Sequence, residues 1–189
     1  MNEALFSSKR DDWGTPLWLY AQLNEAFRFT VDVCANAGNH KHPNYFDIDA
    51  DGLAQPWEGV CWMNPPYGRA VAAWMNKAAK EAQNGATVVG LVAARTDTRW
   101  FQDFATLGHI FFLKGRLTFE GAVDPAPFPS AIIVWYPGCT IRETNYVPAS
   151  PQGIDLICSM YRFLSWRKSH GSKGNENGDR GSLQNIQVP

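Results

Sequence analysis

A run of β-branched residues at positions 87–92 constrains the fold of this chain most. Its sequence is Thr-Val-Val-Gly-Leu-Val, with no alternation of apolar and polar positions. A strand with one solvated face alternates, whereas a strand covered on both faces is apolar throughout. The run therefore predicts an interior strand of a sheet that has helices packed against both of its faces.

Helical and strand patterns alternate along the rest of the chain. Thr15 as N-cap with Pro16 at the first helical position predicts a helix that runs to about residue 27. Further helices are predicted at 70–84, from a cap at 96 or 97 to 108, and at 154–167. Strands are predicted at 29–35, 45–47, 59–63, 109–113, 117–121 and 130–136. Strand 117–121 is expected to return from 109–113 as a hairpin, and residues 139–153 are predicted to be irregular. This order predicts a three-layer α/β domain, with a mostly parallel sheet and a terminal antiparallel strand.

Composition separates this domain from the two ends of the chain. Residues 1–12 are polar and are predicted to be a flexible N-terminus, and residues 13–167 form the domain. Residues 168–189 are rich in Gly, Ser, Asn and charged residues, which predicts a disordered tail. With 189 residues of which 45% are hydrophobic, the chain can bury one substantial core.

The stretch Asn64-Pro65-Pro66-Tyr67 most suggests a specific chemistry. It follows the predicted strand at 59–63, so an amide, two prolines and an aromatic ring form a stiff corner at a strand end. The Asn64 side-chain oxygen and the Pro65 carbonyl suit the two N–H bonds of an exocyclic amine on a planar ring. Tyr67 would stack on the face of that ring. The alternative is a simple turn after a strand, and the rest of the chain has to decide between the two.

Polar residues also follow two other predicted strands. Asp32, with the small residues Cys34 and Ala35, lies near the carboxyl end of strand 29–35, and Arg95 follows the run at 87–92. Open α/β sheets bind ligands at this edge. A cap or a hydrogen-bond anchor is the alternative role for Asp32. Since Asp32, Asn64 and Arg95 are all expected on one edge, the sequence favours a functional site over a simple turn.

Charge and cysteine content narrow the class of protein. The formal net charge is -1, so a nucleic-acid partner would have to meet a local basic surface. The four cysteines are widely spaced, which argues against a disulfide framework. The spacing of His40 and His42 relative to Cys34 and Cys61 fits no usual zinc pattern, so no metal site is predicted.

The N-terminal sequence and the apolar runs give no sign of export or membrane insertion. Residue 3 is an acid, and no apolar run approaches the roughly 20 residues of a membrane span. The sequence therefore predicts a cytoplasmic protein with no membrane partner, and it leaves the oligomeric state open.

Seven stretches, taken in their order, resemble the phage-type DNA N-6-adenine-methyltransferases over most of residues 12–136. Asn-Pro-Pro-Tyr alone is shared with other amino-methyltransferases, whereas the full set is specific to this family. The matching stretches are Trp13-Gly14-Thr15-Pro16, Val31-Asp32-Val33-Cys34-Ala35, Tyr45-Phe46 with Asp51-Gly52-Leu53, Trp62-Met63-Asn64-Pro65-Pro66-Tyr67-Gly68-Arg69, Ala94-Arg95-Thr96-Asp97-Thr98-Arg99-Trp100, Lys114-Gly115-Arg116-Leu117 and Ala126-Pro127-Phe128-Pro129-Ser130.

The resemblance implies a Rossmann-like fold that uses S-adenosylmethionine to methylate the N6 amine of adenine in DNA. It implies that Asn64, Pro65, Pro66 and Tyr67 hold the target adenine, flipped out of the duplex. It also implies a protein of a bacterial host or a prophage.

The resemblance further assigns the cofactor contacts. The Asp32 loop with the segment from Trp13 would hold the methionine end of the cofactor, Asp51 would read its adenine, and Asp47 would accept from its ribose. The full set implied to bind the cofactor is Trp13, Thr15, Pro16, Asp32, Cys34, Ala35, Asp47 and Asp51. The usual glycine-rich loop is replaced by Asp-Val-Cys-Ala at 32–35.

Basic residues are the candidate DNA contacts, and the predicted substrate is duplex DNA. The set comprises Arg69, Arg95, Arg99, Lys114 and Arg116. Two alternatives remain open at this point. One is methylation of cytosine N4 or of a protein glutamine, because the same corner suits either nitrogen. The other is a DNA-binding module without activity.

Overall fold

The structure is a computed structural model that describes residues 13–138, 144–148 and 150–170. Within these ranges the chain forms helices on a six-stranded sheet. The strands are β1 (Val31–Asp32), β2 (Val60–Met63), β3 (Thr87–Ala93), β4 (His109–Lys114), β5 (Ser130–Trp135) and β6 (Thr144–Pro148), and the α-helices are α1 (Leu17–Phe27), α2 (Val71–Gln83), α3 (Arg99–Phe104) and α4 (Pro151–His170). A 3₁₀ turn, Ala105–Leu107, follows α3.

The strands lie in the order β1-β2-β3-β5-β4-β6. Parallel pairing joins β1 to β2, β2 to β3 and β4 to β6. β5 is antiparallel to both of its neighbours, β3 and β4. The other five strands therefore run in one direction, so the sheet is mostly parallel as predicted. The antiparallel strand is inside the sheet and not at its end, because the long segment 115–129 lets the chain reverse and insert β5 between β3 and β4.

Both faces of the sheet are covered, which confirms the three-layer α/β fold. On one face, Leu23 of α1 and Ile157 of α4 share a core cluster with Val89 of β3. On the other face, Met75 of α2 and Phe101 of α3 pack with the alternate residues of the same strand, such as Val88. The uninterrupted apolar run at 87–92 follows from this arrangement, because each face of β3 meets a layer of helices.

The predicted hairpin at 109–121 is wrong. β4 forms, but residues 117–119 have no strand partner, and Glu120 makes only an isolated antiparallel bridge with Gly14. Both edges of β4 are already occupied, by β5 and β6, so no edge remains for a return strand. Leu117 and Phe119 are instead buried in the core on the α1 side.

Several boundaries also differ from the sequence predictions. Thr15 is buried and is not the N-cap of α1, since that position belongs to Pro16. Thr98, and not residue 96 or 97, precedes α3. The strand predicted at 29–35 is reduced to β1, and the one at 45–47 to a bridge between Asp32 and Tyr45. The shifts at the helix starts are one or two residues, which is the usual uncertainty of a helix end.

The C-terminal part is more ordered than predicted up to residue 170. β6 lies in the region predicted to be irregular, and α4 continues through His170, beyond the domain end placed at 167. Residues 1–12 and 171–189, predicted to be flexible, lie outside the described residues. None of the helices in the described part of the chain has the length and hydropathy needed to span a bilayer.

Gly52, in the loop before β2, lies very close to the backbone that follows β1. A Cβ at this position would lie 2.1 Å from the Val33 carbonyl oxygen and 3.0 Å from the Trp74 ring. The Gly52 carbonyl in turn accepts a hydrogen bond of 2.7 Å from Trp57 Nε1. Only glycine permits this approach of backbone to backbone.

We therefore expect Gly52→Ala to lower the free energy of unfolding by about 1–3 kcal/mol, because either the loop or β1 must move. Chemical denaturation would measure the change. The matched control is Gly38→Ala on an exposed loop, where the nearest atom to a Cβ is the Asn36 side chain at 3.3 Å. Equal stability of the Gly52→Ala and Gly38→Ala proteins would contradict the close-approach argument.

Candidate functional site

A cavity of about 580 Å³ opens at the carboxyl ends of β1 and β2. It collects most of the residues predicted to bind the cofactor or the substrate. Of those predicted residues, the cavity is lined by Trp13, Cys34, Ala35, Asp47, Asp51, Asn64, Pro65 and Pro66. The parallel pairing of β1 with β2 brings together the segments that follow them, which are far apart in sequence.

A smaller recess adjoins this cavity and shares Cys34, Asn39 and Asn64 with it. Thr15 and Asp32 line the recess and not the main cavity. The remaining residues of the recess are Gly14, Lys41 and Trp62. Pro16 is buried at the start of α1 and lines neither cavity, so its predicted contact with the cofactor is not supported by its position.

The Asn64 side chain is oriented by a single strong hydrogen bond. Its Nδ2 donates to the Trp13 carbonyl at 2.6 Å. Its Oδ1 is buried and has no hydrogen-bond partner among the described residues. Because the donor side of the amide is committed to Trp13, the acceptor side remains available to an N–H group of a ligand.

The backbone of the corner is also available. Pro66 uses its carbonyl to accept from the Gly68 N–H at 3.0 Å. The carbonyls of Asn64 and Pro65 accept no backbone hydrogen bond in the described part of the chain. They lie outside β2, which ends at Met63. The corner therefore presents unpaired acceptors beside the cavity, as the two prolines predict.

Tyr67 occupies a different position from the rest of the corner. Its ring makes edge contacts with Phe119 and Phe128, at centroid distances of 5.9 and 5.2 Å, and Trp13 completes this aromatic cluster. Its hydroxyl donates to the Leu91 carbonyl at 3.4 Å. Burial raises the pKa of Tyr67 above its usual value, so the phenol is neutral at physiological pH. Tyr67 does not line the main cavity, and its stacking on a base stays a prediction.

Asp32 is the most buried acid near the cavity, with 3% of its surface exposed. Its Oδ2 accepts from the Lys41 backbone N–H at 3.0 Å, and its Oδ1 has no partner among the described residues. Burial raises the pKa of Asp32, although the backbone N–H groups of Lys41 and Cys34 act in the opposite direction. An acceptor with one unpartnered oxygen suits a cationic ligand.

Cys34 lies between Asp32 and Asn64. Burial, and then the Asp32 charge, raise the pKa of its thiol, although the Asn64 backbone N–H acts against this. A thiol with a raised pKa stays protonated at neutral pH and is a poor nucleophile. We therefore expect Cys34 to line the cavity with a small, unreactive side chain.

Asp47 and Asp51 line the cavity from the loop before β2. Asp47 Oδ1 accepts from the backbone N–H groups of Asp49 and Ala50, at 3.1 and 2.9 Å. Asp51 has a φ of 50° and its Oδ1 accepts from the Leu53 N–H at 3.2 Å. Each carboxylate thus holds the loop with one oxygen, and both face a cavity that a nucleoside could enter.

The sequence did not indicate every residue that lines this cavity. Trp74 is a buried residue of α2, and its side chain also reaches the cavity. Phe46 and the exposed Ile48 line it as well. No sequence signal marked these three residues as part of a site, because a single apolar residue in a loop or on a helix is common in proteins without a ligand site.

The predicted DNA contacts are exposed and lie at the same edge of the sheet. They follow the carboxyl ends of β2, β3 and β4, which all run in one direction. None of them forms an ion pair with another described residue. These residues are Arg69, Arg95, Arg99, Lys114 and Arg116. Unpaired cations on one edge suit an extended polyanion.

No cluster of three or more His, Cys, Asp or Glu side chains suited to a metal ion occurs within the described ranges. His40 and His42 use their rings locally, since His40 Nδ1 pairs with the His42 carbonyl at 3.1 Å and His42 Nδ1 lies 3.0 Å from the Asn44 N–H.

Burial of Asp32 has a consequence for stability. Because the pKa of Asp32 is raised in the folded protein, ionising this carboxyl costs more free energy there than in the unfolded chain. The contribution of Asp32 to the free energy of unfolding is therefore highest below about pH 3.8, where Asp32 is protonated in both states. It falls as the pH rises from that value through the pKa of the folded state. We expect Asp32→Asn to unfold with a free energy higher by about 1 kcal/mol or more at pH 7. The advantage should shrink towards pH 4, which urea denaturation at several pH values would reveal. A difference independent of pH would contradict this account.

Comparisons with known proteins agree with the geometry of the site. The curated DNA N-6-adenine-methyltransferase of Haemophilus phage HP1 (strain HP1c1) is 32% identical over 97 residues, which cover 50% of this chain and 56% of that protein. The chain thus spans about half the length of the curated relative it matches. A solved chain of a type I R-M system covers 87% of this chain and 53% of its own length, with a TM-score of 0.53 and 12% sequence identity. At that identity the likeness concerns the fold alone.

A family profile matches most of the chain. The profile described as DNA N-6-adenine-methyltransferase (Dam) matches residues 3–137, which include β1 to β5 and every residue of the cavity and the recess. From this match and the geometry of the Asn64 corner, the chain belongs to the DNA N-6-adenine-methyltransferase (Dam) family.

Proposed function

We propose that the protein transfers the methyl group of S-adenosylmethionine to the exocyclic N6 amine of adenine in duplex DNA. The single observation that carries this proposal is the buried, unpartnered Oδ1 of Asn64 beside the free carbonyl of Pro65. Membership of the Dam family supports the choice of base, and the name of the phage HP1 relative agrees with it.

The cavity fits S-adenosylmethionine in volume and in chemistry. A volume of about 580 Å³ is typical of sites for ligands of this size. The unpartnered oxygen of Asp32 suits the α-ammonium group at the methionine end, and Asp51 and Asp47 suit the hydrogen-bond donors of the adenosine. When bound, the cofactor supplies a methyl group on a positively charged sulfur, which makes that carbon electrophilic.

The corner would prepare the amine for attack. The nitrogen lone pair of adenine is delocalised into the ring, which makes the amine a poor nucleophile. Asn64 Oδ1 and the Pro65 carbonyl would accept its two N–H bonds and localise the lone pair on nitrogen. The Trp13 carbonyl keeps the Asn64 amide from rotating its donor side towards the base. Orientation of two reactants can lower a barrier by ~7 to 11 kcal/mol, so positioning can account for much of the rate.

The aromatic cluster lies where a base leaving the duplex would arrive. Tyr67 packs edge-on to Phe128, which is half-buried in a proline-rich loop. That loop is held at both of its ends, because the Ala126 N–H donates to Leu117 and the Pro129 carbonyl accepts from Ala94, each at 2.8 Å. Phe128 is therefore placed to pack against a base that stacks on Tyr67. Stacking and the corner hydrogen bonds would offset the few kcal/mol that base flipping costs.

Incubation with labelled S-adenosylmethionine and unmethylated duplex DNA, followed by digestion to nucleosides, tests the proposal. Label is expected in N6-methyladenine. Label in N4-methylcytosine would keep the chemistry and change the base. No label in DNA, with active cofactor bound, would refute the proposal.

Asn64→Ala separates catalysis from cofactor binding. We expect methyl transfer to fall by at least about 100-fold, since the acceptor that activates the amine is lost, while the affinity for S-adenosylhomocysteine changes by less than about threefold. Single-turnover rates and calorimetric titration would measure the two quantities. A parallel loss of both would mean that Asn64 is mainly structural, acting through its bond to Trp13.

The exposed cations should account for binding to the DNA backbone. Arg95→Gln and Arg116→Gln are each expected to weaken duplex binding at all sequences and to reduce the slope of log affinity against log salt by about 1. Fluorescence anisotropy at several salt concentrations would measure the slopes. Lys80→Gln is the matched control, because Lys80 is exposed in the last turn of α2, away from the carboxyl edge. An equal effect of the control would show that only net charge matters.

A further inference from the structure

An ion pair joins two distant parts of the chain beside the recess. Lys41 Nζ pairs with Glu120 Oε2, and the Lys41 side chain is only 9% exposed, against 52% for Glu120. Lys41 belongs to the loop after β1, whereas Glu120 belongs to the segment after β4. A lysine ammonium this deeply covered requires a counter-ion, so Glu120 is not an optional partner for it.

Lys41 has a second acid within reach of its charge. Lys41 lines the recess together with Asp32, and its backbone N–H donates to Asp32 Oδ2 at 3.0 Å. Burial is the largest influence on the pKa of Asp32 and raises it, while the backbone N–H groups of Lys41 and Cys34, then His40, and last the Lys41 ammonium act to lower it. Lys41 therefore lies beside the Asp32 carboxylate through its backbone, while its ammonium pairs with Glu120.

Backbone pairing holds Glu120 in this position. The Glu120 N–H donates to the Gly14 carbonyl at 2.8 Å within an isolated antiparallel bridge. Gly14 lines the recess, and a Cβ there would lie 3.2 Å from Glu120 Cβ. The absence of a side chain at Gly14 thus lets residue 120 lie close to the mouth of the recess.

We propose that Glu120 is a positioning residue for the cofactor: it holds the Lys41 ammonium away from Asp32, so that the Asp32 carboxylate can bind the α-ammonium group of S-adenosylmethionine. Without Glu120, the covered ammonium turns to Asp32, the acid that lines the recess, and competes with the ligand. The unpartnered Oδ1 of Asp32 is the group that this arrangement protects. The inference rests on the proposed function only for the identity of the ligand.

The first test compares two ligands on Glu120→Gln. S-adenosylhomocysteine has the α-ammonium group, whereas 5′-methylthioadenosine has the same adenosine and thioether without the amino acid. Calorimetric titration is expected to show S-adenosylhomocysteine binding about tenfold more weakly to the variant, with the binding of 5′-methylthioadenosine unchanged within about twofold. An unchanged affinity for S-adenosylhomocysteine, or an equal loss for both ligands, would overturn the inference.

The second test removes the competitor as well. Lys41→Met keeps an unbranched side chain without charge, and the Lys41→Met/Glu120→Gln protein is expected to bind S-adenosylhomocysteine within about threefold of wild type. Recovery identifies the Lys41 charge as the cause of the weaker binding, and the difference between the two ligands separates competition at Asp32 from structural damage, which would weaken both ligands. A double variant that stays tenfold weak overturns the inference.

Two controls complete the design. Asp124→Asn removes a negative charge from an exposed residue of the segment between β4 and β5, to which Glu120 also belongs, and should leave both affinities unchanged. Thermal unfolding of each variant identifies any loss of fold, and unchanged binding of 5′-methylthioadenosine to Glu120→Gln excludes it as the cause. If the wild-type protein binds neither ligand, the proposed function and this inference both fail. If it binds S-adenosylhomocysteine and Glu120→Gln binds it equally well, the inference alone fails.

Discussion

Parallel pairing of β1 with β2 and of β2 with β3 is the constraint on which the site depends. Parallel strands place their carboxyl ends at one edge, so the segments that follow them must meet there. Asp32 ends β1, Asn64 follows β2 and Arg95 follows β3. The helices bury both faces of the sheet, so polar side chains can cluster only where the strands end. The separation of core and site is therefore a result of the sheet topology.

The site retains polar atoms that the fold does not satisfy. Asp32 Oδ1, Asn64 Oδ1 and Trp13 Nε1 are all buried without a hydrogen-bond partner in the described part of the chain. Each such atom lowers stability, because desolvation is not offset by a new bond. They lie on residues that line the cavity or the recess. Three such atoms on residues that line adjoining cavities are consistent with a site that a ligand completes.

Local sequence signals predicted the interior of the fold well. The apolar run at 87–92 indicated a strand covered on both faces, and β3 has helices on each side of it. The two prolines after Asn64 indicated a corner with free carbonyls, and those of Asn64 and Pro65 accept no backbone bond from the described residues. These predictions were correct because they depend on covalent properties of the residues and on patterns a few residues long. The hairpin at 109–121 was wrong because the strands that occupy the edges of β4 come from later in the chain.

By itself the sequence determined the three-layer α/β class, the chemistry of the corner and the family resemblance, since each depends on residue type, order and short-range pattern. Only the tertiary structure decided the place of β5 inside the sheet, the contact of Tyr67 with Phe119 and Phe128, and the pairing of Lys41 with Glu120. These features join residues that are far apart in the chain. Their partners are selected by packing and by the charge balance of buried groups, which no local pattern encodes.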